Sequence, residues 1–249
     1  LAIYDSLINN PNSRDKAMVW LWAQVFDIPE TDPHVEDDVV ACLQAMRSEI
    51  DLLSSKLKSR GVSDHLLHPG LPRLRNVASP TYLNTPWNNH RDEQSRVENR
   101  IILLWATWAL QDENEQDLDS DELAALRSEL DSLEVSLRNV DMPTYLYDFV
   151  LRQISVIRSA LRISRVRGVA PIKEALRQVV GNCVVERDHV EAESKAASEN
   201  ARSVMARAGD LIKKTAEYAD RFEKIRKAGE GAVGLAKTVG PILLAWVQG

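Results

Sequence analysis

The sequence predicts an all-α fold, and three observations carry the prediction. Glycine is sparse, ten residues with none before Gly61, and no G-x-G-x-x-G, P-loop or G-x-S-x-G pattern occurs. Those loops need glycine where backbone turns sharply or approaches a phosphate, so most nucleotide-binding α/β architectures are excluded. Alternating β-branched runs are scarce, which argues against sheet. Finally, AMRSEIDLLSSKLK (Ala45 to Lys58) is nearly rewritten 80 positions later as ALRSELDSLEVSLR (Ala125 to Arg138). Both carry heptad-like apolar spacing.

Within the first copy, Leu43, Met46, Ile50, Leu53 and Leu57 fall at steps of 3 and 4; Leu123, Leu126, Leu130, Leu133 and Leu137 do the same in the second. Such steps lay one apolar stripe along a helix. The polar residues match too, Arg47 with Arg127, Ser48 with Ser128, Glu49 with Glu129 and Asp51 with Asp131. Upstream, the apolar run Met18 to Phe26 parallels Ile101 to Leu110, aligning Trp22-Ala23 with Trp105-Ala106. One hairpin cannot cover its own apolar face, whereas two can cover each other. The expectation for residues 1–167 is therefore a bundle of duplicated helical hairpins, with copies at about 4–83 and 87–166.

Between the copies, Pro69, Pro72, Pro80 and Pro86 predict an irregular, proline-rich crossing segment over 61–90. Proline lacks the amide proton and clashes inside a helix. Arg60 and Gly61 read as a helix C-terminus, with the arginine near the negative end of the dipole and Gly61 in a left-handed turn. The acidic connection Asp112 to Glu122 reads as a solvated loop, Asp119 capping the next helix and Glu122 reaching back. Its alternating Asp117, Asp119 and Asp121 lack the glycine and glutamate that a calcium loop requires. Beyond it, Leu146, Val150, Ile154, Ile157 and Leu161 mark a further helix, and Gly168, Pro171 and Gly181 bracket a short one.

Residues 168–249 form the second predicted domain. Val190, Ala197, Val204, Leu211, Tyr218 and Ile225 recur every seven residues, predicting one long amphipathic helix from about Val184 to Ala228. The run from Ala232 to Val247 is apolar apart from Lys237, Thr238, Gly240 and Pro241. It is shorter than the roughly 20 residues that span a bilayer and predicts an apolar C-terminal helix.

A net charge of −6 argues against a dedicated nucleic-acid binder. Two cysteines, Cys42 and Cys183, are too few for a disulfide framework, and the first sixteen residues lack the pattern of a signal peptide. The expected setting is the cytoplasm, with membrane association on activation. His65 and His68 stand three apart without a visible third ligand, so neither metal nor any other cofactor is expected.

Arg60 and His65 form an Arg-x4-His spacing that resembles the motif of helical ribonucleases of the HEPN class. That resemblance implies a ribonuclease with Arg60 and His65 acting on the scissile phosphate. It covers two residues, and Gly61 stands where that family has a polar one. The stretch Tyr145 to Gly181 is loosely similar to helical proteins of bacterial defence loci, which implies a place in a bacterial antiviral complex.

The leading expectation is a non-enzymatic protein–protein interaction protein, an adaptor, scaffold or regulator that binds a protein partner or itself. Its expected partner-binding residues are Arg158, Arg162 and Arg165 on one helix face, and Leu211, Tyr218 and Phe222 on the seam. The alternatives are a membrane-active effector contacting lipid through Leu235, Ile242, Leu243, Leu244 and Trp246, and the ribonuclease. No small-molecule substrate is inferred.

Overall fold

The computed structural model describes residues 1–10, 16–32, 34–68, 70–111 and 120–226. Among them the chain is all-α, with one isolated bridge, Ala17 to Pro86, in place of any strand. The chain divides into two compact units, Leu1–Asn114 and Glu115–Gly249, rather than between 167 and 168.

The first unit comprises α1 (Ala2–Ile8), α2 (Met18–Val25), α3 (Val35–Ser59), α4 (Asp64–Leu67), α5 (Gly70–Val77), a 3-10 turn (Pro80–Tyr82), α6 (Asn88–Gln94) and α7 (Val97–Ala109). Helix α3 is the spine, with α2, α5 and α7 packed against it. Its first turn carries Glu36, Asp37 and Asp38 and its last Lys56 and Lys58, the order that suits the helix dipole. At its end Gly61 adopts φ 83°; the Val62 amide donates to the Leu57 carbonyl at 3.0 Å and the Gly61 amide to the Lys58 carbonyl at 2.9 Å. These two bonds make a Schellman cap, as the Arg60-Gly61 pair predicts.

The segment over 61–90 corrects the expectation of an irregular crossing. It holds α4, α5, the 3-10 turn and the start of α6. Two of its prolines sit at helix starts instead of forbidding helices: Pro72 lies in the first turn of α5, and Pro80 opens the 3-10 turn under a Ser79 cap. Proline is tolerated there because first-turn amides have no intrahelical acceptor.

The second unit comprises α8 (Ser120–Arg138), α9 (Thr144–Arg167), α10 (Ala170–Val185), α11 (Arg187–Ala196) and α12 (Glu199–Arg226). Helix α9 packs on α8, α10, α11 and α12, and α12 also packs on α8 and α10. The five leucines of the α8 stripe are all buried in one core with Phe149, Ile157, Leu176 and Leu211. The α3 stripe is buried by elements of the first unit, Ile50 and Leu57 joining Leu71, Leu74 and Ile102. Each stripe is thus covered within its own unit.

The matched polar positions make like contacts. Arg47 donates to the Arg75 carbonyl at 2.8 Å and Arg127 to the Leu161 carbonyl at 2.7 Å. Asp51 pairs with Arg75 at 2.7 Å, and Asp131 pairs with Arg158 at 2.9 Å. In both places an arginine and an aspartate one turn apart tie a leucine-striped helix to its neighbour.

The long helix expected from Val184 to Ala228 is broken twice. Helix α10 runs on through Gly181 to Val185, Glu186 leaves the helix, and Ala197 is extended (φ −73°, ψ 151°). Ser198 then starts α12: its hydroxyl accepts from the Ala201 amide and donates to the Asp141 carbonyl, both at 3.2 Å. A serine in that role favours a new helix start. Val190, Ala197, Val204, Leu211 and Tyr218 are all buried, so the seven-residue pattern is kept across the break. The apolar segment 232–247 lies outside the described residues, and among these no helix is long and apolar enough to cross a membrane.

Candidate functional site

Helix α7 is apolar on two opposite sides. Its inner face, Asn99, Ile102 and Ala106, is buried against the first-unit core. Its outer face carries Val97, Ile101, Leu104, Trp105 and Trp108, all exposed. At 100° per residue these five fall within one stripe about 100° wide. Trp105 and Trp108 are 64% and 67% exposed and meet edge to face at 6.2 Å between ring centroids. Trp22, which the sequence aligns with Trp105, is 0% exposed and stacks on Phe26 at 5.3 Å.

Three anchors fix the rotation of α7 and so aim the stripe outward. At the N-terminal end Asn99 donates from Nδ2 to the Glu93 and Gln94 carbonyls at 2.9 and 3.0 Å, and the Tyr4 hydroxyl donates to the Gln94 carbonyl at 2.6 Å. Beside the stripe, Arg100 Nε pairs with Asp5 at 3.0 Å, tying α7 to α1. At the C-terminal end Arg60 Nη1 donates to the Ala109 carbonyl at 2.6 Å, a cation on carbonyls that no intrahelical amide reaches.

Two large exposed indoles with three aliphatic neighbours expose apolar area on the order of 500 Å², the size of the largest patch on a typical folded monomer, which is often functional. Scattered exposed apolar residues need no explanation; a contiguous stripe with no polar residue inside it does.

The other sequence-predicted residues fall as follows. Leu211 and Tyr218 are core residues of the second unit, so the seam closes that unit and does not present them to a partner. Arg158 is largely spent within the chain, bridging Asp131 at 2.9 Å and Glu134. Arg162 is half-buried and Arg165 exposed. The side chain of Phe222, and Leu235, Ile242, Leu243, Leu244 and Trp246, lie outside the described residues, as do Asp117 and Asp119. Glu122 pairs with Arg221 at 2.5 Å, and its expected reach back to Asp119 lies outside the described residues.

His65 and His68 line a cavity of about 360 Å³ with Lys58, Asp64 and Leu71. Lys58 holds Asp64 at 2.7 Å, and its hydrogen bond keeps that carboxyl below the usual carboxylate range. Arg60 is engaged at Ala109. Among the described residues no three His, Cys, Asp or Glu side chains assemble as a metal set.

One polar cluster has no counterpart in the sequence reading. Glu186, at the α10–α11 break, accepts from the Tyr145 hydroxyl at 2.5 Å and from Arg152 Nη2 at 2.7 Å, and the His189 ring meets Tyr145 edge on at 4.0 Å. Burial pushes the Glu186 carboxyl up, but the bonds from Tyr145 and Arg152 outweigh it and leave the group below the usual range. The same bond raises the Tyr145 phenol. This cluster stitches α9 to the break. Cys183 beside it is buried, which lifts its thiol to about 12 and leaves it protonated and inert at neutral pH.

Comparison with protein-family models, with curated proteins and with solved structures gives no match for this chain.

Proposed function

We propose that the protein is a non-enzymatic interaction protein that docks through the outer face of α7. The observation that supports this reading is the stripe of Val97, Ile101, Leu104, Trp105 and Trp108 on a helix whose opposite side is already buried. Exposed tryptophans are the side chains most enriched among residues that dominate binding energy. The three anchors hold the helix in place before any partner arrives, which lowers the ordering cost of binding.

The test is a photo-crosslinking residue at Thr107, an exposed position beside the stripe, in the full chain within the cells that make it. A covalent adduct with another polypeptide, lost when Trp105 and Trp108 are both changed to aspartate, is the expected result. A chain that forms no adduct overturns the reading.

A further inference from the structure

We infer that the occupant of the α7 stripe is a second copy of this chain, bound two-fold with the two α7 helices antiparallel. The inference rests on the interaction reading above and names its partner.

A two-fold contact requires a self-complementary patch, in which residue i meets j and j meets i. Along the stripe, Val97, Ile101, Leu104 and Trp108 are separated by steps of 4, 3 and 4, the same read in either direction. An antiparallel pairing centred between Ile101 and Leu104 therefore places Val97 against Trp108 of the second copy and Ile101 against its Leu104. The smallest residue of the stripe meets one of the largest, as interdigitating helix faces require. In a two-fold pair of this kind like flanks meet. Trp105 then lies on the flank that carries Glu98 of the second copy, a carboxylate acceptor for the indole N–H.

Charge and area agree. The flanks of the stripe carry few charges, chiefly Glu98 and Arg100, and Arg100 is already matched by Asp5 at 3.0 Å. In the proposed register the two Arg100 positions lie five residues apart along the axis, more than one helical turn, so pairing gathers no cluster of like charge. The stripe contributes on the order of 500 Å² of apolar area, and with its flanking residues it approaches the roughly 800 Å² per partner of a standard interface. A patch with no polar residue at its centre resembles homodimer interfaces, which are more apolar than interfaces between transient partners.

Sedimentation of the purified full chain from about 1 to 100 µM tests the inference, in the range where a standard interface associates. The expected result is a reversible dimer whose dissociation constant rises about a hundredfold or more in Trp105→Asp, which replaces a large indole of the contact with a charge. Unchanged far-UV circular dichroism shows that the variant folds. Register is read separately with Val97→Cys and Trp108→Cys, each made alone. The mixture should give a disulfide-linked dimer under mild oxidation, and neither variant alone should, because like positions lie about 16 Å apart along the axis. Both native cysteines are buried and do not compete.

A chain that stays monomeric overturns the second copy as occupant. If that monomer still crosslinks at Thr107 to a different protein, the interaction reading survives; if Trp105 and Trp108 are shielded from acrylamide in the monomer, the chain covers its own stripe. A dimer indifferent to Trp105→Asp, or one that links Val97→Cys to itself, also overturns the proposed pairing.

Discussion

Replacing Gly70 with alanine should destabilise the first unit through a single collision. Gly70 is the buried first residue of α5, and a Cβ built on it would lie 2.2 Å from Ile102 Cδ1 and 3.4 Å from Ile102 Cγ1. Carbon atoms prefer about 3.5–4.0 Å, so the methyl must move by more than an ångström. Ile102 is packed among Leu71, Leu74 and Ala106, which leaves it little room. Overpacking of this kind costs about 1–3 kcal/mol. Gly70 opens α5, outside the helix interior where alanine gains about 1 kcal/mol over glycine, so little is regained and the net loss stays about 1–3 kcal/mol. Ile102→Val removes the colliding methyl; alone it should cost about 0.5–1.5 kcal/mol. Combined, the two changes should cost less than their sum by about 1 kcal/mol, the coupling expected of residues in contact. Urea unfolding followed by tryptophan emission reads the right unit, because Trp20, Trp22, Trp87, Trp105 and Trp108, five of the six tryptophans, lie in it. An alanine variant as stable as the parent, or strictly additive costs in the double variant, would refute the close approach of α5 to α7.

Other outcomes follow from the same contacts. The carboxyl of Glu186 is depressed in the folded chain, so its stabilisation is present above the ordinary carboxylate range and is lost as pH falls through the folded value; thermal unfolding of the second unit should lose stability on acidification, and Glu186→Gln should flatten that loss. Cys183, with its thiol near 12 and its side chain buried, should resist a thiol reagent at pH 7.5 in the native state and react on unfolding; rapid native labelling would contradict its burial. Arg60→Gln should cost on the order of 1 kcal/mol, the usual worth of a charge-assisted bond after allowing for its exposure, and should raise amide exchange at the C-terminal turn of α7 before any other part of that helix.

The fold was legible wherever an apolar stripe faced a polar one. The leucines of α3 and α8 are spaced for one buried side, and both helices form with that side inward. The breaks at Glu186 and Ala197 were hidden because the seven-residue pattern resumes in phase beyond them. Ser198 was the available sign, a helix-starting residue inside an apparent rod. The short helices between Asp64 and Gln94 were masked by prolines that occupy first turns. The outer face of α7 was hardest to see. A run such as Ile101 to Leu110 reads as buried all round, and periodicity cannot choose which side faces water. Asn99 held the clue: a polar residue on a strongly apolar helix, buried and bonded to two carbonyls, marks the inner side and leaves the indoles outside.

The matched Trp-Ala pairs stand in different surroundings. Trp22 is sealed in the interior and Trp105 faces outward, while Ala23 and Ala106 are both enclosed. A polar replacement at Trp22 strikes the chain's ability to hold its shape at all. The same replacement at Trp105 leaves the shape intact and removes what the shape displays. A change at Trp22 is therefore read out as lost folding and a change at Trp105 as lost apolar surface, although the two dipeptides are spelled alike.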